Sequence, residues 1–356
     1  MFSKEKTKEQ RWLFWSLMLI TFCCLTYILR SVLLPFVAGI ALGYLLDPCA
    51  SFFEKKGCNR TLATLLVLIS AILIFIPVLV LFIGIVNEQL TTFLSALPHY
   101  IASFSQKMEP FVQELQDRFP SLDSEKVRAY IRSSIGDNFK LLGVLLKNIL
   151  SKSFALINLL SLLLITPVVT FYMLRDWNSF TKKVNGLLPR KSKKSIQKTA
   201  REIDRTLSGF IRGQLSVCLL LGLYYSIGLY LVGLDLGLII GFTAGLISFI
   251  PYVGSISGFA ISIIMALAQF DGWLPIVKVI LVFVTGQFIE GNFLTPKLVG
   301  DKVGLHPVWI MFALLAGGAL LGFLGMLIAI PAAAIIGVLI RHAIENYKQS
   351  HLYLED

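Results

Sequence analysis

From Gly237 to Ala268 the chain reads GLIIGFTAGLISFIPYVGSISGFAISIIMALA, 32 residues without a charge. Such a run belongs in lipid or against other lipid-buried helices. As one straight helix it would measure about 48 Å, against a hydrocarbon core of about 30 Å. The run must bend. Pro251 lacks an amide proton, and Gly254 and Gly258 tolerate conformations that other residues resist. Ser248, Tyr252, Ser255 and Ser257 bring hydroxyls to the same place. Interrupted backbone at membrane depth persists only where protein or a water-filled cavity satisfies it. Residues 248–258 are therefore expected to form the heart of a polar site inside a membrane protein.

A second stretch, 308–340, is also uncharged and also too long, about 50 Å as a helix. It is interrupted by Gly317, Gly318, Gly322, Gly325 and Pro331. Each stretch is either a kinked single span or a re-entrant hairpin that enters and leaves on one side. Hairpins put Lys297 and Lys302 inside and the Asp271 loop outside, as the positive-inside rule prefers. Span 212–232 with one hairpin and span 273–289 with the other then form units of opposite orientation. Inverted repeats with broken helices are a recurrent transporter plan. The competing account is that the glycines serve only tight helix packing.

The rest of the chain agrees with a polytopic membrane protein: hydrophobic residues are 56% and charged ones 15%, and mean hydropathy is +0.77. The net charge of +11 does not indicate a nucleic-acid partner, because the excess is concentrated between spans. Arg175 to Arg212 holds eleven Lys or Arg against three Asp or Glu, the signature of a cytoplasmic loop. Ile196, Ala200, Ile203 and Leu207 line one helical face there, with Lys193, Lys194, Lys198, Arg201 and Arg205 elsewhere. A basic amphipathic helix on anionic lipids of the inner leaflet is expected. Arg175 and Arg212 mark the inner interface, where Arg212 snorkels.

Taken in order, 1–86 holds the N-terminal transmembrane segments, with a retained first span from Trp12 to Leu29 and an interruption at Arg30 and Pro35. Residues 87–150, with seven basic and seven acidic residues, lack the cytoplasmic bias. Ile101, Phe104, Met108, Phe111 and Leu115, then Val127, Tyr130, Ile131 and Ile135, fall at helical spacing. This part predicts a small amphipathic helical insertion outside the cytoplasm. A span over 151–174, the basic loop 175–211, a transport core over 212–340 and a cytoplasmic tail 341–356 complete an all-α protein of about eight membrane segments. Glycine-rich faces and the insertion allow a homo-oligomer without specifying its number.

Enzyme chemistry finds little footing. Cys23, Cys24 and Cys218 fall in apolar spans, and Cys49 and Cys58 flank a short loop placed in the cytoplasm, where a disulfide is not expected. No CxxC, HExxH or phosphate-binding GxxxxGK[ST] occurs, so no metal and no cofactor is expected. Ser255 and Ser257 lack a mid-span histidine to activate them, since His99, His306, His342 and His351 lie elsewhere.

The order FYMLRD (171–176), FIRGQ (210–214), FIPYVGSISG (249–258), Gln287 with EGNFLTPKLVG (290–300) and LHPV (305–308), followed by a Gly-rich last span, resembles the AI-2E transporter family. These proteins are also called autoinducer-2 exporter-like permeases. The resemblance covers nearly the full chain and is clearest over 171–335. It implies a bacterial inner-membrane protein of about eight helices. For some members it implies export of autoinducer-2, and for others sodium/proton antiport. The family motifs fall on Arg212, Gly213 and Gln214, on Pro251, Tyr252 and Gly254, on Gln287, and on Pro296, Gly300 and Pro307.

Two functions follow. In one, a small polar solute crosses by alternating access, met by Gln214, Ser248, Pro251, Tyr252, Gly254, Ser255, Ser257, Gln287, Glu290, Pro296, Gly317 and Gly318. Gln214 and Gln287 supply amide donors and acceptors. The alternative is cation/proton antiport at Glu290, the one acid that follows a long uncharged segment (Val279 to Ile289) and so falls within the membrane profile.

Overall fold

A computed structural model of the chain describes residues 28–118, 153–190, 192–299 and 304–349, with scattered positions before 28 and at 353. Most of the first apolar run, Cys23, Cys24, the 119–150 part of the insertion, Gly300 and Lys302 fall outside the described residues. Nearly everything described is helix, joined by turns and short irregular links, with no strand among the described residues. The chain is an all-α membrane protein.

The helices are α1 (Arg30–Lys55), α2 (Arg60–Arg118), α3 (Ser153–Leu187), α4 (Lys193–Val232), α5 (Gly237–Ile247), α6 (Val253–Gln269), α7 (Trp273–Ile289), α8 (Pro307–Leu321) and α9 (Phe323–Lys348). A π-helical segment, Glu290–Val299, continues directly from α7. Among the described residues five helices carry segments long and apolar enough to cross a bilayer: Leu33–Lys55, Arg60–Ala96, Lys193–Val232, Trp273–Val299 and Phe323–Lys348. α5, α6 and α8 are equally apolar but shorter, from 11 to 17 residues.

Helix ends differ from the expected segment boundaries at several points: α3 runs past 174 to Leu187, and α4 joins the expected loop helix to the span from 212 without a break. α1 passes through Pro35 and Pro48 and runs to Lys55, through most of the expected loop 47–60. α2 continues without a break past Asn87 to Arg118, with Pro77, Pro98 and Pro110 inside it. The apolar span and the first half of the expected insertion are thus one helix.

The chain divides into two compact units, Met1–Leu68 with Leu160–Ile211 and Lys302–Asp356, and Ile69–Leu159 with Arg212–Asp301. In the first, Arg60 ties three helices together. Its guanidinium donates to Asp47 (2.7 Å), Glu54 (2.9 Å) and Ser51 (3.2 Å) on α1 and to the Leu174 carbonyl (2.9 Å) on α3. Below this hub Ala50, Val67 and Leu174 make a small core with Leu46 and Phe53. α1 and α3 approach closely at Gly39, where an added Cβ would stand 2.7 Å from Val169. Thr170 donates there to the Gly39 carbonyl (3.1 Å). α8 and α9 form a tight helical hairpin, turning at Gly322 with φ +63.

In the second unit α5 and α6 form another hairpin, packed against the second half of α4. Gly237, Gly241 and Gly245 recur every four residues along one face of α5. They meet α4 at Leu229, at Tyr225 and Ser226, and at Gly222 respectively. A Cβ on Gly245 would lie 2.1 Å from the Gly222 Cα, so the two backbones touch. Ser226 donates to the Leu238 carbonyl across this seam (3.0 Å). Small residues that let helices approach this way are the usual device of membrane interiors.

Candidate functional site

The break expected at 248–258 is a turn, and its chemistry differs from the expectation. Pro251 lies between α5 and α6, and Tyr252 caps α6 in the left-handed region with φ +67. A left-handed non-glycine residue is uncommon and costs of the order of 1–3 kcal/mol, so surrounding packing must hold it. Gly254 and Gly258 do not supply the unusual dihedral; they supply room. A Cβ on Gly254 would stand 2.2 Å from the Ala244 carbonyl oxygen, and one on Gly258 2.4 Å from the Ala244 Cβ. The serine hydroxyls turn back on their own helices. Ser248 donates to Ala244 O (2.9 Å), Ser255 to Tyr252 O (3.3 Å) and Ser257 to Val253 O (2.6 Å). Tyr252 is 60% exposed.

The polar convergence lies beside the turn, between α4 and α7. Gln214, buried, donates its Nε2 to the carbonyl of Ser248 (2.9 Å). Eleven residues on, which is about three helical turns and so nearly the same face, Tyr225 is wholly buried. Its ring stacks on Phe283 (centroids 4.7 Å apart). Gly286 makes the space: a Cβ there would lie 2.3 Å from the tyrosine ring. One residue later Gln287 directs its Nε2 at Glu290 Oε2 (2.8 Å) and at the Tyr225 hydroxyl (3.5 Å).

Glu290 marks the change from α-helix to π-helix, and Pro296, without an amide proton, lies inside the π segment. Such π turns are rare and concentrate at functional sites. The far end of this segment meets FIRGQ. A Cβ on Gly213 would stand 2.2 Å from the Leu298 carbonyl oxygen, so glycine is required at that crossing. Three motifs separated in sequence thus converge in one unit: Gly213 and Gln214, the Ser248–Gly254 turn, and Gln287 to Val299.

Of the remaining predicted residues, Gly317, Gly318 and Arg175 lie in the first unit and Arg212 in the second. Gly317 packs at the α8–α9 crossing, where its Cβ would stand 2.6 Å from the Gly325 oxygen, and Gly318 lies on Met326. Arg175 makes a two-toothed contact with its neighbour Asp176 (2.8 and 2.7 Å) and lies over the rings of Phe171 and Tyr172 at 4.9 and 5.0 Å. That geometry accounts for FYMLRD as a self-contained cluster, and the guanidinium holds the Asp176 carboxyl below its ordinary range. Arg212 is half-buried.

Two features lie outside the expected site. The Arg60 hub had a signal, since Asp47, Ser51 and Glu54 fall at i, i+4 and i+7 on one helix face. The other is a cavity of about 400 Å³ at the α4–α5 turn, the end of the hairpin remote from Pro251.

A family model, that of the AI-2E family transporter, matches residues 16–345. The chain belongs to the AI-2E transporter family. It is similar to the "Putative transport protein YrrI" of Bacillus subtilis, with 30% identity over 88% of this chain and 87% of that protein. It is similar also to YueF of the same organism, 30% identical over 84% and 80%. The "Putative permease PerM" of Escherichia coli is 25% identical over 88% of both chains. Membership in this family and the apolar helices together support a role in membrane transport. Nothing in these matches favours sodium/proton antiport. Glu290 accepts a hydrogen bond from the Gln287 amide.

Proposed function

We propose that this AI-2E family member is a permease for a small polar solute, autoinducer-2-like by family resemblance, that works by alternating access. The observation that carries it is the row of Gln214, Tyr225, Gln287 and Glu290 along the α4–α7 seam. Polar and ionisable groups within membrane segments are costly and mark solute pathways. Ser248, Ser255 and Ser257, whose hydroxyls are engaged by their own backbone, shape the turn, while Gln287 and Glu290 contact the cargo.

The two helical hairpins are re-entrant in this proposal, and the protein has about eight membrane segments in a bacterial inner membrane. Both termini are cytoplasmic, and Lys193, Lys194, Lys198, Arg201 and Arg205 rest on anionic lipid. The half-buried Ile203 and Leu207 and the exposed Ile196 suit that placement.

Counterflow of autoinducer-2 in vesicles reconstituted with the purified protein tests the proposal. The wild type should exchange label, and Gln287→Ala should cut exchange about tenfold, with equal protein per vesicle. Equal flux in both, or no flux above protein-free vesicles, would overturn it.

A further inference from the structure

The α5–α6 hairpin is held very differently at its two ends. At the open end, where α5 begins and α6 finishes, α2 grips it through two side chains. The Tyr100 hydroxyl donates to the Asp235 carboxylate. Lys107 donates to the Leu267 and Phe270 carbonyls (3.0 and 2.6 Å) and pairs with Asp271 (3.2 Å). A cation on the last carbonyls of a helix also suits its dipole. Gln269 closes the same end from within: its Oε1 accepts the Asp235 backbone N–H (2.9 Å), and its Nε2 donates to the Gly233 carbonyl (2.8 Å).

The tip at Pro251 has a lighter hold. α5 touches the α4 backbone as far as Gly245. Beyond it Tyr252 is left-handed, and its side chain is exposed, as are those of Val253 and Ile256. The strained dihedral is therefore not held by packing of the tyrosine itself. The group that matters is the carbonyl of Ser248, a buried residue. A buried carbonyl without a donor is costly. A turn ordinarily supplies that donor three residues on, but there stands Pro251, which has no N–H. The donor comes instead from another helix, as Gln214 Nε2 at 2.9 Å. The preceding residue, Gly213, lies against the Leu298 carbonyl at the end of the π segment. Two successive residues of α4 thus touch the hairpin tip and the segment that begins at Glu290.

We propose that Gln214 is a latch on the hairpin tip rather than a cargo contact. When its bond to Ser248 breaks, residues 246–253 swing as a gate while the clamped open end stays in place. One neutral hydrogen bond is weak enough to break and re-form in each cycle. The open end would have to give up several, some of them to a charged lysine. Gln214 acts through the tip and is a positioning residue. Its effect on flux rests on the permease reading above, whereas its effect on the tip does not.

Hydrogen exchange of the full chain in lipid nanodiscs, read by mass spectrometry, tests the latch. Gln214→Met keeps the length of the side chain and removes its donor. Exchange over 246–253 should quicken about tenfold, the weight of one hydrogen bond, while 232–236 and 266–272 stay within about twofold of the wild type. Counterflow of autoinducer-2 on the same sample should lose about fivefold in kcat, with KM within about twofold. A raised KM with unchanged exchange at the tip would make Gln214 a cargo contact and overturn the latch. Exchange that rises equally at 221–229 and at the tip would show a general packing role and overturn it too. If the wild type shows no flux, the permease reading falls, and exchange at the tip alone decides the latch.

Discussion

Gln287 and Glu290 lie one helical turn apart, and the amide of the first donates to the carboxylate of the second at 2.8 Å, where α7 gives way to π-helix. The pair places a donor and an acidic acceptor side by side beneath the buried Tyr225 hydroxyl. Glu290→Gln keeps an oxygen to receive the Gln287 amide and removes only the charge. Melting temperature should therefore change little, while solute flux falls about tenfold, or about 1.4 kcal/mol at the transition state. Flux and melting measured on the same reconstituted sample check it; unchanged flux would remove Glu290 from the pathway.

The α4–α5 seam predicts a sharp contrast between glycines. Gly245→Val forces a side chain into the Gly222 backbone, where even a Cβ would approach to 2.1 Å. Overpacking of this kind costs about 1–3 kcal/mol, and here the neighbour is backbone that cannot rotate away. Gly84, within α2, has nothing within 4 Å of its added Cβ. Gly84→Ala should be neutral or stabilising by up to about 1 kcal/mol, because alanine is the better helix former. Thermal melts in detergent distinguish the two; equal melting temperatures would contradict the packing described.

Much of this arrangement is legible in the amino-acid sequence. The excessive length of 237–268 and 308–340 demanded a break in each, and Pro251 and Gly322 lie at the turns that deliver it. The basic bias of 175–211 also pointed to a loop region, although most of it is helix. What could not be read was the use of each small or polar residue. Gly254 offers either a left-handed dihedral or an absent side chain, and only the Ala244 carbonyl on the facing helix shows that the second applies. Ser255 and Ser257 look alike whether they meet a solute or their own backbone, because i−3 and i−4 carbonyls are always within reach of a helical serine. The convergence of Gln214 with Ser248, and of Gly213 with Leu298, joins segments 34 and 85 residues apart, and no local periodicity encodes such contacts.

Arg60 should be among the least replaceable charges of the first unit. Arg60→Lys leaves a single nitrogen to serve Asp47, Glu54, Ser51 and the Leu174 carbonyl, which the guanidinium serves together. Removing one partner of a buried pair costs about 3–5 kcal/mol, but both carboxylates here are about two-fifths exposed, which lowers the expectation to about 1–3 kcal/mol. Denaturation of the lysine and alanine variants should show losses in that range, and restored stability in Arg60→Met with Asp47→Leu would show that the hub supplies shape more than charge. A wild-type melting temperature for Arg60→Lys would refute the hub.

The Tyr100–Asp235 contact sets a pH dependence at alkaline pH. Tyr100 lies beyond the Arg60–Ala96 candidate span. Burial and the Asp235 carboxylate raise its phenol well above the ordinary value of about 10. The folded form therefore keeps its proton where the unfolded form has lost it. The unfolded chain binds fewer protons above pH about 10, so stability falls as pH rises beyond that point. This contribution is fully present at neutral pH. Melting temperature against pH should decline more steeply above pH about 10 in the wild type than in Tyr100→Phe, which has no phenol to titrate. Coincident profiles would show that the contact has no energetic weight.

The two hairpins make a prediction about sides. If both stretches re-enter, the Asp271 loop and the π-helical segment at Lys297 lie on opposite faces of the membrane. A continuous kinked span in place of the α5–α6 hairpin would reverse this arrangement. Single cysteines at 271 and at 297, both exposed positions, in a chain whose five native cysteines are replaced by serine, read the difference directly. An impermeant thiol reagent applied to intact cells should label position 271 and spare 297 until the membrane is opened. The excess of basic residues over 175–211 supports the same orientation, because positive loops stay inside. Labelling of 297 with protection of 271 would overturn the re-entrant arrangement while leaving the helical hairpin, fixed by the contacts of Ala244 with Gly254 and Gly258, intact.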